Sequence, residues 1–99
     1  MDWLAYAHVL RGAGRPEHAA QAYRRALEID PFSTAALGGL ASSLAETGDA
    51  DALFAHLDTL VLADARLALQ VLTRPAVARF SGDPRYAGLL TEARSQAVD

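Results

Sequence analysis

A sequence period of 34 residues constrains this chain more than any other feature. Apolar and small residues with helical spacing are followed by a glycine, and the same pattern recurs 34 positions later. The first set is Trp3, Tyr6, Ala7, Leu10 and Gly14, and its counterpart is Leu37, Leu40, Ala41, Leu44 and Gly48. A period of this length predicts a repeat protein, because each unit covers its apolar face with the next unit.

Capping residues, prolines and glycines predict where the helices begin and end. Asp2 can cap the first helix and Asp49 the fourth, because a side-chain oxygen there accepts a free backbone N–H. Ser33 or Thr34 can cap the third helix in the same way, and Gly48 supplies a left-handed C′ position. We expect about five or six helices and no strand, since no segment alternates apolar and polar residues. The predicted helices cover about 3–11, 16–30, 34–46, 50–64, 65–73 and 84–97, with turns at Gly14, Pro31, Gly48 and the Pro75–Asp83 region.

The composition limits the chain to one small domain and excludes several kinds of site. A chain of 99 residues buries only a modest core. It contains no cysteine, which excludes disulfides, thiolate metal sites and cysteine nucleophiles. All nine basic residues are arginine, which we interpret as the base composition of a GC-rich bacterial genome.

Charge and hydropathy argue against nucleic acid and membranes as partners. The net charge is −3, and Arg24-Arg25 is the only basic doublet, whereas a nucleic-acid binder needs a basic stripe. No run of about 18 apolar residues is present to span a membrane, and the N terminus lacks the features of a signal peptide. We therefore expect a cytoplasmic protein that binds neither nucleic acid nor membranes.

The three histidines are the first candidates for metal or acid–base chemistry. No two of His8, His18 and His56 have the i, i+4 spacing that places two ligands on one helix face. We interpret all three as surface residues. The chain also lacks a nucleophile elbow, a P-loop and a dinucleotide fingerprint. We therefore expect no enzyme activity, no cofactor and no metal.

At the repeated positions the chain resembles the tetratricopeptide repeat family. The family motif reads W-x2-L-G-x2-Y, then A-x3-F, then P. It appears here as Trp3-x2-Tyr6-Ala7-x2-Leu10, then Ala19-x3-Tyr23, then Pro31. The resemblance implies an all-α fold of right-handed αα-hairpin repeats, with a first repeat over 1–33, a second, degenerate repeat over 34–65 and C-terminal capping helices over 66–99.

The second repeat departs from this motif in its second helix. Leu53 and Leu60 stand where the first repeat has Ala19 and Ala26, and Ala65 stands where a proline belongs. Larger residues at these positions keep a neighbouring helix further away. We therefore expect the second hairpin to pack less closely than the first, or at a different angle.

The resemblance implies a protein that binds a peptide or protein partner in a concave groove lined by the first helix of each repeat. The best-known ligand mode of the family uses groove lysines and asparagines, and this chain contains neither. His8 is placed where it can face the groove and bind a carboxylate. The groove positions that the register implies are Leu4, Ala5, His8 and Arg11, followed by Ala35, Gly38, Gly39, Ser42 and Glu46.

Two other interpretations remain open from the sequence alone. Residues 53–72 are apolar on nearly all sides, which is typical of helices buried from several directions. A homodimer or assembly module would use Trp3, Phe54, Leu62 and Leu69 as its candidate interface. The chain is alternatively a part of a longer repeat array.

Overall fold

The structure, a computed structural model, describes residues 1–97, and these form seven helices without a strand. Short turns join the helices, and each of α1 to α4 packs against the helix that follows it. Their bounds are α1 Trp3–Gly12, α2 Pro16–Ile29, α3 Thr34–Thr47, α4 Ala50–Ala63, α5 Ala65–Leu72, α6 Pro75–Ala78 and α7 Pro84–Ala97. The all-α prediction is therefore confirmed. None of the helices in this part of the chain is long and apolar enough to cross a membrane.

The predicted caps are present at three helix starts. The Asp2 carboxylate accepts a hydrogen bond from the backbone N–H of Ala5 at 3.1 Å, and Asp49 accepts one from Ala52 at the same distance. The Ser33 hydroxyl accepts from the N–H three residues later at 3.2 Å. Gly48 ends α3 with φ +81°, in the left-handed region that favours glycine. These local signals fix the helix ends because each one satisfies a backbone group that the helix leaves free.

The first hairpin is held together by small residues that let the helices approach closely. Ala7 of α1 and Ala19 of α2 are both fully buried, and the Tyr23 ring of α2 fills the space beside them. Fewer close backbone approaches join α3 to α4 than join α1 to α2. The expectation of a looser second hairpin is therefore confirmed, and Leu53 and Leu60 lie buried where the first hairpin has alanine.

The region between Pro75 and Asp83 differs from the prediction because it contains an additional one-turn helix. The sequence predicts a turn there, with Pro75 only as the residue that breaks the preceding helix. Pro75 does end α5, but it is also the first residue of α6. A proline fits the first helical turn, where its fixed φ is suitable and its missing N–H has no partner to lose.

The C-terminal helices pack back onto the second repeat. Helix α7 lies against α4 and α5, and α6 lies against α3. The Tyr86 hydroxyl of α7 donates a 2.6 Å hydrogen bond to the carbonyl of Leu72, at the end of α5. Phe54 of α4 is only 2% exposed and its ring meets that of Phe80 edge-on. The prediction that Phe54 lies at an oligomer interface is therefore wrong, because residues after α5 of the same chain cover it.

Candidate functional site

An ion pair joins the exposed sides of α1 and α3. Arg11 Nε of α1 lies 3.7 Å from Glu46 Oε1 of α3, and both side chains are more than one-third exposed. Both residues were predicted from the repeat register to line one groove. The structure brings these two side chains together, so α1 and α3 share one accessible surface.

The Tyr23 side chain of α2 packs against Gly39 of α3 and contacts His8 of α1. Its ring is fully buried, and its hydroxyl lies 2.5 Å from His8 Nδ1 of α1. The two rings meet edge-on. With the His8 proton on Nε2, the phenol donates and the imidazole accepts. Burial raises the pKa of the Tyr23 phenol, so the hydroxyl keeps its proton near neutral pH. His8 therefore stays exposed while the buried phenol holds its ring.

The two adjacent glycines of α3 each accommodate a side chain from another helix or loop. A Cβ built on Gly39 would lie 2.8 Å from the Tyr23 hydroxyl oxygen and closer still to the ring. A Cβ built on Gly38 would lie 2.9 Å from Arg74 Nη2. The repeat register predicts that Gly38 and Gly39 line the groove. Both are in fact buried, because side chains from other parts of the chain lie on the backbone there.

Arg74, between α5 and α6, is the side chain that covers this part of α3. Its Nη1 donates hydrogen bonds to the Gly38 carbonyl at 3.0 Å and to the Ser42 hydroxyl at 3.1 Å. Arg79 makes a similar contact further along α3, where Nη2 donates to the carbonyl of Ala45. Ser42 was also predicted to line the open groove, and it is buried for the same reason.

An open cleft of about 460 Å³ remains between the start of α3 and α5. It lies toward the opposite end of α3 from Glu46, and it carries charged, polar and apolar side chains. Ala35 is the groove position predicted from the sequence that lines it, and it is exposed. The lining residues are Thr34, Ala35, Asp64, Arg66, Leu67, Gln70 and Arg74.

The other residues predicted for oligomerisation are spread over different parts of the molecule. Trp3 and Leu4 are half-buried at the N-terminal edge, where they line a cleft with Ile29. Leu62 of α4 is 75% exposed, whereas Leu69 of α5 is half-buried. The structure does not bring Trp3, Leu62 and Leu69 into one patch within a single chain.

His56 is the histidine whose place differs most from the sequence interpretation. The sequence predicts a surface residue, but His56 is half-buried, and its Nε2 lies 3.0 Å from the Leu37 carbonyl oxygen. Burial lowers the pKa of His56, partly opposed by the hydrogen bond to that carbonyl. Within residues 1–97, no three histidine or carboxylate side chains come close enough together to hold a metal ion.

Sequence reasoning missed the two arginines that reach α3. The only local signal was the Arg74-Pro75 step, because a residue before proline is held in extended backbone. Arg74 has φ −65° and ψ 139°, as that rule predicts. This geometry turns the chain after α5, but the target of the side chain lies 36 residues away in sequence. No pattern within one helix could identify such a partner.

A comparison with protein families identifies the N-terminal part of the chain. Residues 2–43 match a family model described as "Tetratricopeptide repeat". No curated protein and no solved structure gave a significant match. Repeats of this family generally mediate protein–protein interaction and are typically not catalytic. The family match, the 34-residue period and the stacked helical hairpins agree that residues 2–43 of the chain belong to this family.

Proposed function

We propose that this protein is a non-enzymatic binding module that holds an extended peptide segment of a protein partner on the surface shared by α1, α3 and α5. The observation that carries the proposal is the position of Arg11 and Glu46. Their ion pair places the exposed sides of α1 and α3 next to each other. A cleft between α3 and α5, toward the other end of α3, offers a second accessible region on the same helix.

The side chains on this surface suit a peptide with mixed chemistry. His8 offers an exposed imidazole, and the Arg11–Glu46 pair offers one charge of each sign. Ala35 leaves room for a backbone because its side chain is small. A largely pre-formed surface of this kind costs little reorganisation on binding. The net charge of −3 disfavours a nucleic acid as the partner, and we place the protein in the cytoplasm.

A peptide-display selection with two matched variants tests the proposal. Random peptides are selected against the wild-type protein, and the enriched peptides are titrated against Ala35→Trp and Ala55→Trp. Both alanines are exposed and helical, but only Ala35 lines the cleft. We expect the indole at position 35 to block binding and the indole at 55 to leave it unchanged. Failure to enrich any peptide, or equal effects of the two variants, would contradict the proposal.

Self-association is a second candidate function, favoured by apolar side chains that remain exposed on α1. Val9 is 68% exposed and Tyr6 is 43% exposed, on the helix that also carries Trp3. A second copy of the chain would bury this face. Sedimentation velocity of wild type and Val9→Glu over a range of concentrations tests it, with Thr59→Glu on α4 as the exposed control. A dimer that only Val9→Glu disrupts supports self-association, and a concentration-independent monomer excludes it.

A further inference from the structure

We propose that the cleft between α3 and α5 receives the carboxylate of a glutamate or aspartate side chain in the partner, with Arg74 as the residue that binds it. This inference rests on the proposed peptide-binding function, and it gives the partner a chemical requirement. It follows from the hydrogen bonds of Arg74, from the glycine beneath it and from the charges around the cleft.

Arg74 uses only one end of its guanidinium group within the protein. Its two hydrogen bonds, to the Gly38 carbonyl and the Ser42 hydroxyl, both come from Nη1. A guanidinium has five N–H donors. In residues 1–97, the donors on Nε and Nη2 have no hydrogen-bond acceptor. Nε and Nη2 form one edge of the planar group, and such an edge can bind both oxygens of a carboxylate in parallel.

The position of Arg74 is fixed before any ligand arrives. The guanidinium lies on the backbone of α3 because Gly38 has no Cβ, and a Cβ there would be 2.9–3.0 Å from Nη2 and Nη1. Pro75 restricts the backbone of the preceding residue, as the extended ψ of 139° at Arg74 shows. A side chain that is already held at both ends loses little rotamer freedom on binding. The entropic cost of binding a ligand is therefore smaller.

The charges in the cleft favour a single negative charge. Arg66 is exposed and lines the same cleft, and no carboxylate among the described residues lies within 4.0 Å of its charged nitrogens or those of Arg74. Asp64 also lines it, but its carboxylate accepts the N–H of Leu67 as the cap of α5. Two guanidinium groups and one carboxylate leave one positive charge. A carboxylate matches this charge better than a phosphate, which carries about −1.5 to −2 at neutral pH.

The test uses peptides selected from a random display library on the wild-type protein and then synthesised with amidated C termini. Each is titrated against wild type, Arg74→Gln, Gly38→Ala and Arg66→Gln, with Arg94→Gln as the control on α7. We expect the selected peptides to share a glutamate or aspartate. Arg74→Gln should weaken binding at least about tenfold, since a hydrogen bond to a charged group is lost. Arg66→Gln should weaken binding less, and Arg94→Gln should not change it.

Gly38→Ala tests whether binding depends on the position of the Arg74 guanidinium as well as on its charge. The variant keeps every charge, and alanine is the better helix former, but the new methyl group displaces Arg74 from α3. We expect binding to fall nearly as far as in Arg74→Gln while the circular dichroism spectrum stays helical and the thermal midpoint is no lower than that of wild type. This variant keeps the test valid even if Arg74→Gln also loosens α6.

Three results would show which proposal fails, the acidic requirement or the peptide-binding function. Peptides that bind on the Ala35 surface but share no acidic residue, and that Arg74→Gln does not weaken, overturn the acidic requirement and leave the proposed function standing. Selected peptides that lose binding when their C termini are amidated show that a terminal carboxylate is the ligand, and they overturn the side-chain assignment. Failure to select any peptide overturns both proposals.

Discussion

The ring of Tyr23 occupies the space that a side chain on Gly39 would need. Tyr23 lies on α2 and Gly39 on α3, and the ring is fully buried between helices. The family motif places an aromatic residue at the Tyr23 position, but it does not specify what lies opposite. In this protein the opposite residue is a glycine, so the helix accepts a residue of poor helix propensity in exchange for close packing.

This arrangement predicts opposite effects for the same substitution at neighbouring positions. Gly39→Ala should destabilise the protein by about 1–3 kcal/mol, because the buried ring has no room to move and the core is overpacked. Gly38→Ala meets only the far end of the Arg74 side chain, so the gain in helix propensity of up to about 1 kcal/mol is largely kept. Urea unfolding of the two variants measures both values. A similar loss of stability in both would show that Tyr23 does not pack on Gly39.

The tight contact between α1 and α2 predicts the effect of enlarging a small residue. Ala19→Leu should lower the free energy of unfolding by about 1–3 kcal/mol, because Ala19 is fully buried and the larger side chain forces the helices apart. Gln21→Leu changes an exposed position of the same helix and should be nearly neutral. Equal shifts of the two urea midpoints would mean that the assigned face of α2 is wrong.

The partly buried position of His56 predicts that the protein loses stability in mild acid. Burial holds the folded-state pKa of His56 below the ordinary value of about 6.5, and the positive charge of Arg24 lowers it further. The unfolded chain therefore binds the proton more readily than the folded one, and stability falls as the pH drops below about 6.5. Urea titrations at neutral and mildly acidic pH measure the slope. His56→Gln should reduce it, whereas His18→Gln, at an exposed position, should leave it unchanged.

The contact between α7 and the end of α5 predicts the role of a single hydroxyl group. Tyr86→Phe removes the donor to the Leu72 carbonyl and keeps the ring. We expect a loss of about 0.5–1.5 kcal/mol, the usual net contribution of one hydrogen bond. Tyr6→Phe is the matched control, because the Tyr6 side chain is 43% exposed at the other end of the molecule. A thermal midpoint that falls equally in both variants would contradict this role for Tyr86.

The helices and their ends could be predicted from the sequence because the signals are local. Asp2, Ser33 and Asp49 each bond a backbone N–H three residues later, as their sequence positions indicated. Gly48 adopts the left-handed conformation that follows from its place after α3. These interactions depend on neighbours within one helical turn, so a single sequence contains the information that determines them.

The candidate site could be predicted only in part because its key contacts are distant in sequence. The register placed Arg11 and Glu46 on one surface, and the structure brings them together. It also placed Gly38 and Ser42 there, without any indication that Arg74 would cover them. That contact depends on the direction in which the chain leaves α5, which a short helix and a proline set together. Helical periodicity carries no information about such a turn.

The arginines that cross α3 affect how the protein unfolds. In a simple linear array each repeat contacts only its neighbours, and the ends can open separately. Here the segment after α5 donates hydrogen bonds to one carbonyl in the first half of α3 and to one near its end. Detaching that segment would remove hydrogen-bond donors from carbonyls of α3, and α3 also packs on the first hairpin. The tail and the repeats are therefore coupled, and amide exchange should protect the backbone of α3 and that of α5–α6 with the same free energy.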